Sequence, residues 1–334
     1  MRASSGSSSG WPGTRWGSEV RLLLLPLAAL LLAPSGCAGA GSEPAAVSHA
    51  SRTDATRAVA QAFLHRYLIE NDVVGAYATH AHPDFIQHNQ NMANGTAAHR
   101  AYFARLAEQE GGAPADWAHV TDMLLVDGDI FALLHHVFRG PDDTGRIFVD
   151  LWRVEDGRIA EHWDVIQQLS PDMPHANGMG CGNLETWEAA AAHEDSIAAP
   201  TCGLPDAQSD RAASLAVYKA YTDQVATGGV LPAIERWFHP DYRQHSPIIA
   251  EGKQGAIDYL QREWGRPDGP RPRLGPQRIV AQGDLILVHY MYKLEGQPEE
   301  AHVDVFRITG GLISEHWDFK QPASAQMAHD NGMW

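Results

Sequence analysis

One acidic residue in a predicted strand has the surroundings expected of a general acid or base. The segment FVDLWRVEDGRIAEHWDV, residues 148–165, alternates apolar and polar residues on both sides of Asp156-Gly157, a pair suited to a two-residue hairpin turn. In that register, Asp150 shares a strand face with aromatic rings. Those neighbours are Phe148, Trp152 and, across the hairpin, Trp163. Burial among them would raise the pKa of the carboxyl group, so Asp150 is predicted to transfer protons. The alternative is a structural carboxylate bonded to backbone or arginine.

The same hairpin occurs a second time. Residues 302–319 read HVDVFRITGGLISEHWDF, and Asp304 stands where the first copy has Asp150. The sequence therefore predicts a second acid/base residue at Asp304. Its predicted pocket neighbours are His302, Phe306 and Trp317. Phe148 in the first copy corresponds to His302 in the second, so the two pockets are expected to differ in polarity. Either the two pockets take different ligands, or one of them has lost catalysis.

Histidines supply candidate second proton donors in both copies. His88 and His245 hold matching positions in HPDFIQHN and HPDYRQHS, and His136 and His289 lie late in the strand before each aspartate. The spacing from these last two to the aspartate differs by one residue, which suggests a bulge and leaves open whether His135 or His136 faces inward. The alternative for each is an ordinary structural histidine.

His162 and Asp164 of the EHWD segment are expected to point away from this chemistry. In the simple hairpin register, His162 and His316 alternate with the tryptophans and lie on the face opposite Asp150 and Asp304. A His and an Asp two apart on one strand give only two metal ligands, and no third follows with suitable spacing, so no metal site is expected. No glycine-rich phosphate loop occurs, so no nucleotide cofactor is expected. No Gly-x-Ser-x-Gly elbow occurs within residues 54–334, which disfavours an α/β-hydrolase.

The repeat extends over most of the chain. Besides the hairpin, MPHANGM at 173–179 matches MAHDNGM at 327–333. We therefore predict two copies of one domain, residues 54–180 and 208–334, joined by a linker at 181–207. In each copy, helical segments precede a run of strands, which predicts an α+β fold with helices on one face of a curved, mostly antiparallel sheet.

The segments FIQHNQNMANG, GDIFALLHH and FVDLWRVEDGRIAEHWD, with HVDVFR and EHWD in the second copy, resemble the SnoaL-like polyketide cyclase family of the nuclear-transport-factor-two-like superfamily. The resemblance covers nearly all of residues 54–334. It implies two cone-shaped α+β barrels paired through their sheets, each with an apolar pocket and no cofactor. It also implies acid/base chemistry, including intramolecular aldol cyclisation, with the aspartate of the hairpin as acid/base residue. Because relatives of this shape have many activities, the fold does not fix the function.

The N-terminus resembles an export signal. Three arginines precede the apolar run 22–33, and small residues then lead to Cys37. Residues 1–37 are interpreted as a signal peptide of the lipoprotein type with Cys37 lipidated, followed by a flexible linker at 38–53; cleavage near Ala40 without lipid is the alternative. Export to the periplasm or cell surface would permit a Cys181–Cys202 disulfide, with two free thiols as the alternative.

Charge and composition restrict the partners. The net charge of −16 disfavours nucleic acid, and any membrane contact is expected through the lipid anchor alone. The leading hypothesis is cofactor-free acid/base catalysis on a small hydrophobic carbonyl compound, by aldol-type cyclisation or condensation. The alternatives are a non-catalytic binding module for a hydrophobic small molecule, and a hydrolase or isomerase of the same fold.

Overall fold

A computed structural model describes residues 47–110, 117–180, 182–193, 200–264 and 273–334. The first copy comprises α1 (His49–Leu64) with a π-helical turn (His65–Ile69), α2 (Val73–His80), β1 (Ala81–Gln87), α3 (Gly95–Glu110), β2 (Ala118–Asp127), β3 (Ile130–Phe138), β4 (Arg146–Glu155) and β5 (Arg158–Gln168). A 3₁₀ turn (Gly182–Leu184) and α4 (Trp187–Ala192) lead to the second copy. That copy comprises α5 (Arg211–Gly228), α6 (Val230–Trp237), β6 (Phe238–Gln244), α7 (Gly252–Trp264), β7 (Arg273–Gln282), β8 (Leu285–Lys293), β9 (Glu299–Thr309) and β10 (Leu312–Pro322). None of the described helices has both the length and the apolar character needed to span a bilayer.

Each copy forms one five-stranded mixed sheet with the same topology. The strand orders are β1-β5-β4-β3-β2 and β6-β10-β9-β8-β7. The first strand of each copy pairs in parallel with the last, and the other neighbours are antiparallel. One face of each sheet packs on the helices of its own copy, in two separate cores that include Phe63 and Trp152 in the first copy and Tyr218 and Phe306 in the second. The predicted tandem α+β fold is confirmed.

A β-bulge follows each predicted hairpin turn and sets the direction of the side chains behind it. The turn itself is as predicted, because Asp156 and Gly157 both have positive φ, at 49° and 74°. Beyond it, Val154 pairs with Ile159 but Arg153 pairs with Glu161, so one extra residue is inserted in β5. Strand β10 has the same shift, between Ile313 and Glu315. The residues after each bulge therefore point to the face opposite the one that uninterrupted alternation predicts.

The other faces of the two sheets share one apolar core. This core contains Leu151 and Trp163 from the first copy together with Val303 and Trp317 from the second. Trp163 is 1% exposed, and the guanidinium carbon of Arg278, from the second copy, lies 4.0 Å from its ring centroid. The two copies thus bury against each other the sheet faces that would otherwise be exposed.

The repeated MPHANGM and MAHDNGM segments explain part of this association. Asn331 donates to the backbone oxygen of Gln87 at 2.9 Å, and His88 Nδ1 lies 2.9 Å from the backbone oxygen of Gly332. In the opposite direction, Asn177 donates to the Gln244 backbone oxygen at 2.9 Å. Each copy's C-terminal segment therefore docks on the first strand and following loop of the other copy.

Two of the three cysteines, Cys37 and Cys181, lie outside the described residues, so the predictions about them are not tested. Cys202 is disulfide-bonded. Its pairing with Cys181 stays a prediction.

Candidate active site

The first copy contains a cavity of about 240 Å³ between its helices and the concave face of its sheet. Aromatic and aliphatic side chains line about half of it, including Tyr67, Val73, Met92, Phe103, Phe148 and Ile166, and polar or charged side chains line the rest. Four polar side chains, Asn89, Asp150, His162 and Asp164, meet at one end. The volume is below the ~300–1,000 Å³ of typical ligand pockets, so the cavity suits a small molecule.

Asp150 lies at the centre of the polar end and is held by two histidines. His135 Nε2 is 2.9 Å from Asp150 Oδ2, and His162 Nε2 is 2.9 Å from Asp150 Oδ1. Burial would raise the pKa of Asp150, but the hydrogen bonds from His135 and His162 outweigh it and hold the pKa below its usual value. Because both carboxylate oxygens are engaged, Asp150 is placed to fix the two imidazoles rather than to contact a substrate.

The hydrogen bonds around His162 determine which ring nitrogen carries a proton. Gln87 Oε1 accepts from the backbone N–H of Asn89 at 2.8 Å, so this atom is the amide oxygen. His162 Nδ1, 2.9 Å from the same oxygen, must then be the donor. The contact between His162 Nε2 and Asp150 requires one further proton, carried by the ring or by the carboxyl group. The His162–Asp150 pair therefore holds one proton that can be transferred.

Asp164 presents a free carboxylate oxygen beside this pair. Asn89 donates to Asp164 Oδ2, whereas Oδ1 is buried without a hydrogen-bond partner among the described residues. Burial raises the pKa of Asp164 to about 6; attraction to His162 opposes the rise, and repulsion from Asp150 adds to it. A buried carboxylate with one fixed and one unpaired oxygen is suited to accept a proton from a bound molecule.

The equivalent end of the second copy differs in one partner of the aspartate. His316 Nε2 lies 3.1 Å from Asp304 Oδ1, as His162 does from Asp150. Tyr290, however, takes the place of His135 and donates to Asp304 Oδ2 at 2.7 Å. Burial would raise the pKa of Asp304, but the hydrogen bonds from His316 and Tyr290 keep it lowered. The second copy therefore has a phenol where the first has an imidazole.

The bulges correct two sequence predictions about this hairpin. Asp150 pairs with Asp164 and not with Trp163, and Asp304 pairs with Asp318 and not with Trp317. His162 and His316 therefore share the face of the aspartates, whereas the two tryptophans lie in the core between the copies. The prediction that His162, Asp164 and His316 belong to the outer face was wrong, as was the placement of Trp163 and Trp317 in the pockets. Phe148, Trp152, His302 and Phe306 do share the face of their aspartate.

Four predicted proton donors do not reach the aspartates. His88 and His245 stack on Trp163 and Trp317 and lie 2.9 Å from Glu161 and Glu315, respectively, on the face between the copies. His136 Nδ1 lies 2.9 Å from Asp122 Oδ2, so His135 is the inward member of the pair. His289 pairs with Val303, the position that Leu134 holds in the first copy, and also faces away. The bulge predicted between these histidines and the aspartates was wrong, because β3–β4 and β8–β9 pair without a register shift. The register shift next to His135 lies in β2, between Thr121 and Met123.

His289 leads to a prediction about acid stability. It is fully buried, and burial, with smaller contributions from Arg278 and His88, lowers its pKa from 6.5 to about 3. Because the folded-state pKa is depressed, the unfolded chain binds this proton first, and stability is lost as the pH falls below about 6.5. His289→Leu, which copies Leu134, should remove about 2 kcal/mol of the stability difference between about pH 7.5 and pH 5. Urea unfolding of both proteins at the two pH values measures this, and parallel pH profiles would contradict it.

Sequence reasoning missed Gln87, Asn89, Tyr290 and the role of Asp164, and it left open the choice between His135 and His136. The segment QHNQN drew attention to His88, but of the neighbouring amides Asn89 lines the pocket and Gln87 accepts from His162. The signal that could have identified them is strand alternation, since Gln87 and Asn89 lie on either side of His88 and share the opposite face.

Comparison with known proteins supports the same domain in both copies. The family model of the SnoaL-like domain matches residues 60–162 and 218–316. Similar solved structures include TsrD from Streptomyces laurentii, 20% identical, covering 34% of this chain and 90% of that chain with a TM-score of 0.28. A putative ketosteroid isomerase from Kribbella flavida is 18% identical, covering 37% of this chain and 90% of that chain with a TM-score of 0.31. An LEH-like epoxide hydrolase from M. tuberculosis is 16% identical, covering 33% and 84% with a TM-score of 0.27. No curated protein sequence matches the chain.

Proposed function

The chain belongs to the SnoaL-like domain family through both of its copies, and from this premise we propose that the first copy is a cofactor-free acid/base catalyst for a small carbonyl compound. The reaction class is aldol-type cyclisation or condensation. The observation that carries the proposal is the unpaired Oδ1 of buried Asp164, a residue that lines a cavity of mixed polar and apolar character, beside a His162–Asp150 pair that holds a transferable proton.

In the proposed reaction, Asp164 Oδ1 removes a proton from the carbon beside the substrate carbonyl. The resulting enolate carbon attacks a second carbonyl carbon, which forms the new carbon–carbon bond and leaves an alkoxide. His162 Nε2 gives the proton shared with Asp150 to that alkoxide. The proton on Asp164 then returns to the His162–Asp150 pair, so the cycle closes without a redox partner.

The surroundings support this division of roles. Asn89 fixes the second oxygen of Asp164, and Gln87 fixes the orientation of the His162 ring. His135 holds Asp150 from the other side. Asp164, His162 and Asp150, which would move the protons, are therefore each held by a residue that takes no part in proton transfer. Preorganised catalysis requires this arrangement.

A second candidate reaction is isomerisation on the same residues. If no second carbonyl is within reach of the enolate, the proton on Asp164 can return to a different carbon of the same molecule. Such shuttling by one carboxylate requires a base with an unpaired oxygen, and Asp164, which lines the cavity, has one in Oδ1.

For the second copy we propose binding without catalysis. Tyr290 replaces His135, and Ser246 stands at the position of Asn89. Tyr290 holds Asp304 as a neutral hydrogen-bond donor, because burial raises its pKa, with repulsion from Asp304 adding to it, whereas an imidazole at that place can also carry a second proton beside the carboxylate.

Solvent-deuterium exchange tests the proposed function without knowledge of the natural substrate. The chain is incubated in heavy water with a panel of small cyclic ketones, β-hydroxy ketones and diketones, and exchange at the carbon beside the carbonyl is followed by NMR. We expect catalysed exchange for at least one class of compound. Binding of these compounds without catalysed exchange would instead support a non-catalytic binding module.

Export remains part of the proposal. We propose that residues 1–37 direct the chain out of the cytoplasm and that Cys37 is lipidated, because a basic segment, an apolar run and small residues precede this cysteine. Labelled palmitate fed to cells that express the full chain should be incorporated, and Cys37→Ser should abolish the label. Unlabelled protein in the extracellular medium would favour cleavage without lipid.

A further inference from the structure

Three side chains at the polar end of the first-copy cavity direct one ligand atom each to a common point. These atoms belong to Asp150, His162 and Asp164, and they lie within 4.8 Å of one another. All three residues are buried, with 3%, 2% and 3% of their surfaces exposed. Within the described part of the chain, no other group of three His, Cys, Asp or Glu side chains brings its ligand atoms this close.

The outer atoms of the same residues are held by partners that are not ligands. Gln87 accepts from His162 Nδ1, His135 binds Asp150 Oδ2, and Asn89 donates to Asp164 Oδ2. Metal-binding histidines and carboxylates in proteins are oriented by hydrogen bonds of this kind from a second layer of residues. Here the second layer leaves His162 Nε2 and one oxygen of each carboxylate for the common point.

The unpaired oxygen of Asp164 is the independent observation that a ligand belongs there. Asp164 Oδ1 is buried and has no hydrogen-bond partner among the described residues, although an unpaired buried carboxylate oxygen is costly. A cation at the common point would satisfy this oxygen and would also relieve the repulsion between Asp150 and Asp164.

The spacing of two of the three ligand atoms suits a first-row transition metal. His162 Nε2 and Asp150 Oδ1 are 2.9 Å apart, and neighbouring ligand atoms around such an ion are about 3.0–3.4 Å apart when metal–ligand bonds are about 2.1 Å. The Asp164 oxygen lies within 4.8 Å of both and would move towards the ion on binding. One imidazole with two carboxylates favours Zn²⁺ or Mn²⁺ over Ca²⁺, which prefers six to eight oxygens.

We propose that Asp150, His162 and Asp164 bind one divalent transition-metal ion of the Zn²⁺ or Mn²⁺ type, and that the bound ion blocks the first-copy acid/base site. The blocking rests on the proposed function, because the ion occupies Asp164 Oδ1 and displaces the proton of the His162–Asp150 pair. The binding itself does not depend on that function.

The test uses the full chain, stripped with a chelator and titrated with Co²⁺ and Zn²⁺. Calorimetry and the visible absorption of Co²⁺ should report one ion per chain. His162→Gln and Asp164→Asn should each weaken the affinity by at least about 100-fold, since loss of a second-layer partner alone typically costs 10–100-fold. The matched change in the second copy, Asp318→Asn, should leave the one-ion stoichiometry and the affinity unchanged. Circular dichroism identifies a variant that does not fold, and the other variant then decides.

Several results would overturn the proposal. One such result is that no metal binds at millimolar concentration. Another is that Co²⁺ absorption and affinity are unchanged in a folded His162→Gln or Asp164→Asn variant, which would assign the ion to surface histidines. One bound ion that leaves solvent-deuterium exchange unchanged would reject the blocking and retain the site. If the metal-free chain catalyses no exchange, the proposed function fails, and the binding data alone then decide the metal site.

Discussion

Replacing Asp164 by asparagine should lower the rate of solvent-deuterium exchange by about 10²–10⁴, the usual contribution of a positioned acid/base group. The amide preserves the size of the side chain but has no basic oxygen to take the substrate proton. Because Asp164 Oδ1 has no hydrogen-bond partner among the described residues, the substitution breaks no contact at that atom. We therefore expect the folded structure to persist, and initial rates measured by NMR on protein checked by circular dichroism give the result.

Two further variants separate the roles of the neighbouring groups. Asp150→Asn should also reduce exchange, but through the His162 ring, because Asp150 positions that imidazole and stabilises its charge. Asp318→Asn tests the second copy, and we expect a change of less than about threefold there. Exchange that survives Asp164→Asn and disappears in Asp318→Asn would reverse the assignment of the two copies. Unchanged exchange in all three variants would show that these carboxylates are structural.

The tandem fold could be predicted because its signals are local and repeated. The hairpin turn follows from Asp156-Gly157, whose positive φ values suit Gly and Asp. The repeated segments at matched spacing establish that two copies exist before any strand is assigned. None of these signals depends on the exact pairing of one residue with another.

The candidate site depends on that pairing, and the prediction failed there. The residue inserted in each bulge is Ala160 or Ser314, and neither residue type marks a bulge in sequence. A signal was nevertheless present in the pattern of the two strands. Trp163 matches the apolar face of Leu151, while His162 and Asp164 match the polar face of Asp150, and only a bulge allows both matches.

The position of His135 shows a different limit. The first copy has His135-His136 and the second has His289-Tyr290, so alignment by residue type pairs His136 with His289, which is wrong. The strand register instead matches His135 with Tyr290, because each lies opposite the residue two before the aspartate. The spacing difference comes from the connecting loops, whose lengths cannot be inferred from strand patterns.

The C-terminal segments connect the site of one copy with the other copy. His329 and Asn331 contact the backbone of Asn89 and Gln87 at 3.0 and 2.9 Å, and those two amides hold Asp164 and His162. The geometry of the first-copy pocket therefore depends on the docking of the second copy. A duplicated chain keeps this contact at any protein concentration, whereas two separate chains would have to associate first.

Replacing Trp163 by alanine should reduce the free energy of unfolding by about 3–5 kcal/mol. The ring is 1% exposed, stacks on His88 at a centroid distance of 4.9 Å and contacts Arg278 of the second copy. Truncation removes apolar contact area and leaves a cavity in the core that joins the two sheets. Urea unfolding followed by circular dichroism measures the loss.

Conservative and matched variants make this test specific to the interface. Trp163→Phe keeps a ring against His88 and should reduce the free energy of unfolding clearly less than Trp163→Ala. Trp317→Ala in the second copy should have an effect similar to that of Trp163→Ala, because Trp317 is equally buried and stacks on His245. Since His162 and Asp164 flank Trp163, its truncation should also lower exchange by loosening the pocket from behind the sheet. A loss below about 1 kcal/mol for Trp163→Ala would be too small for a buried indole. It would mean that the ring is solvated and that the two copies do not pack through their sheets.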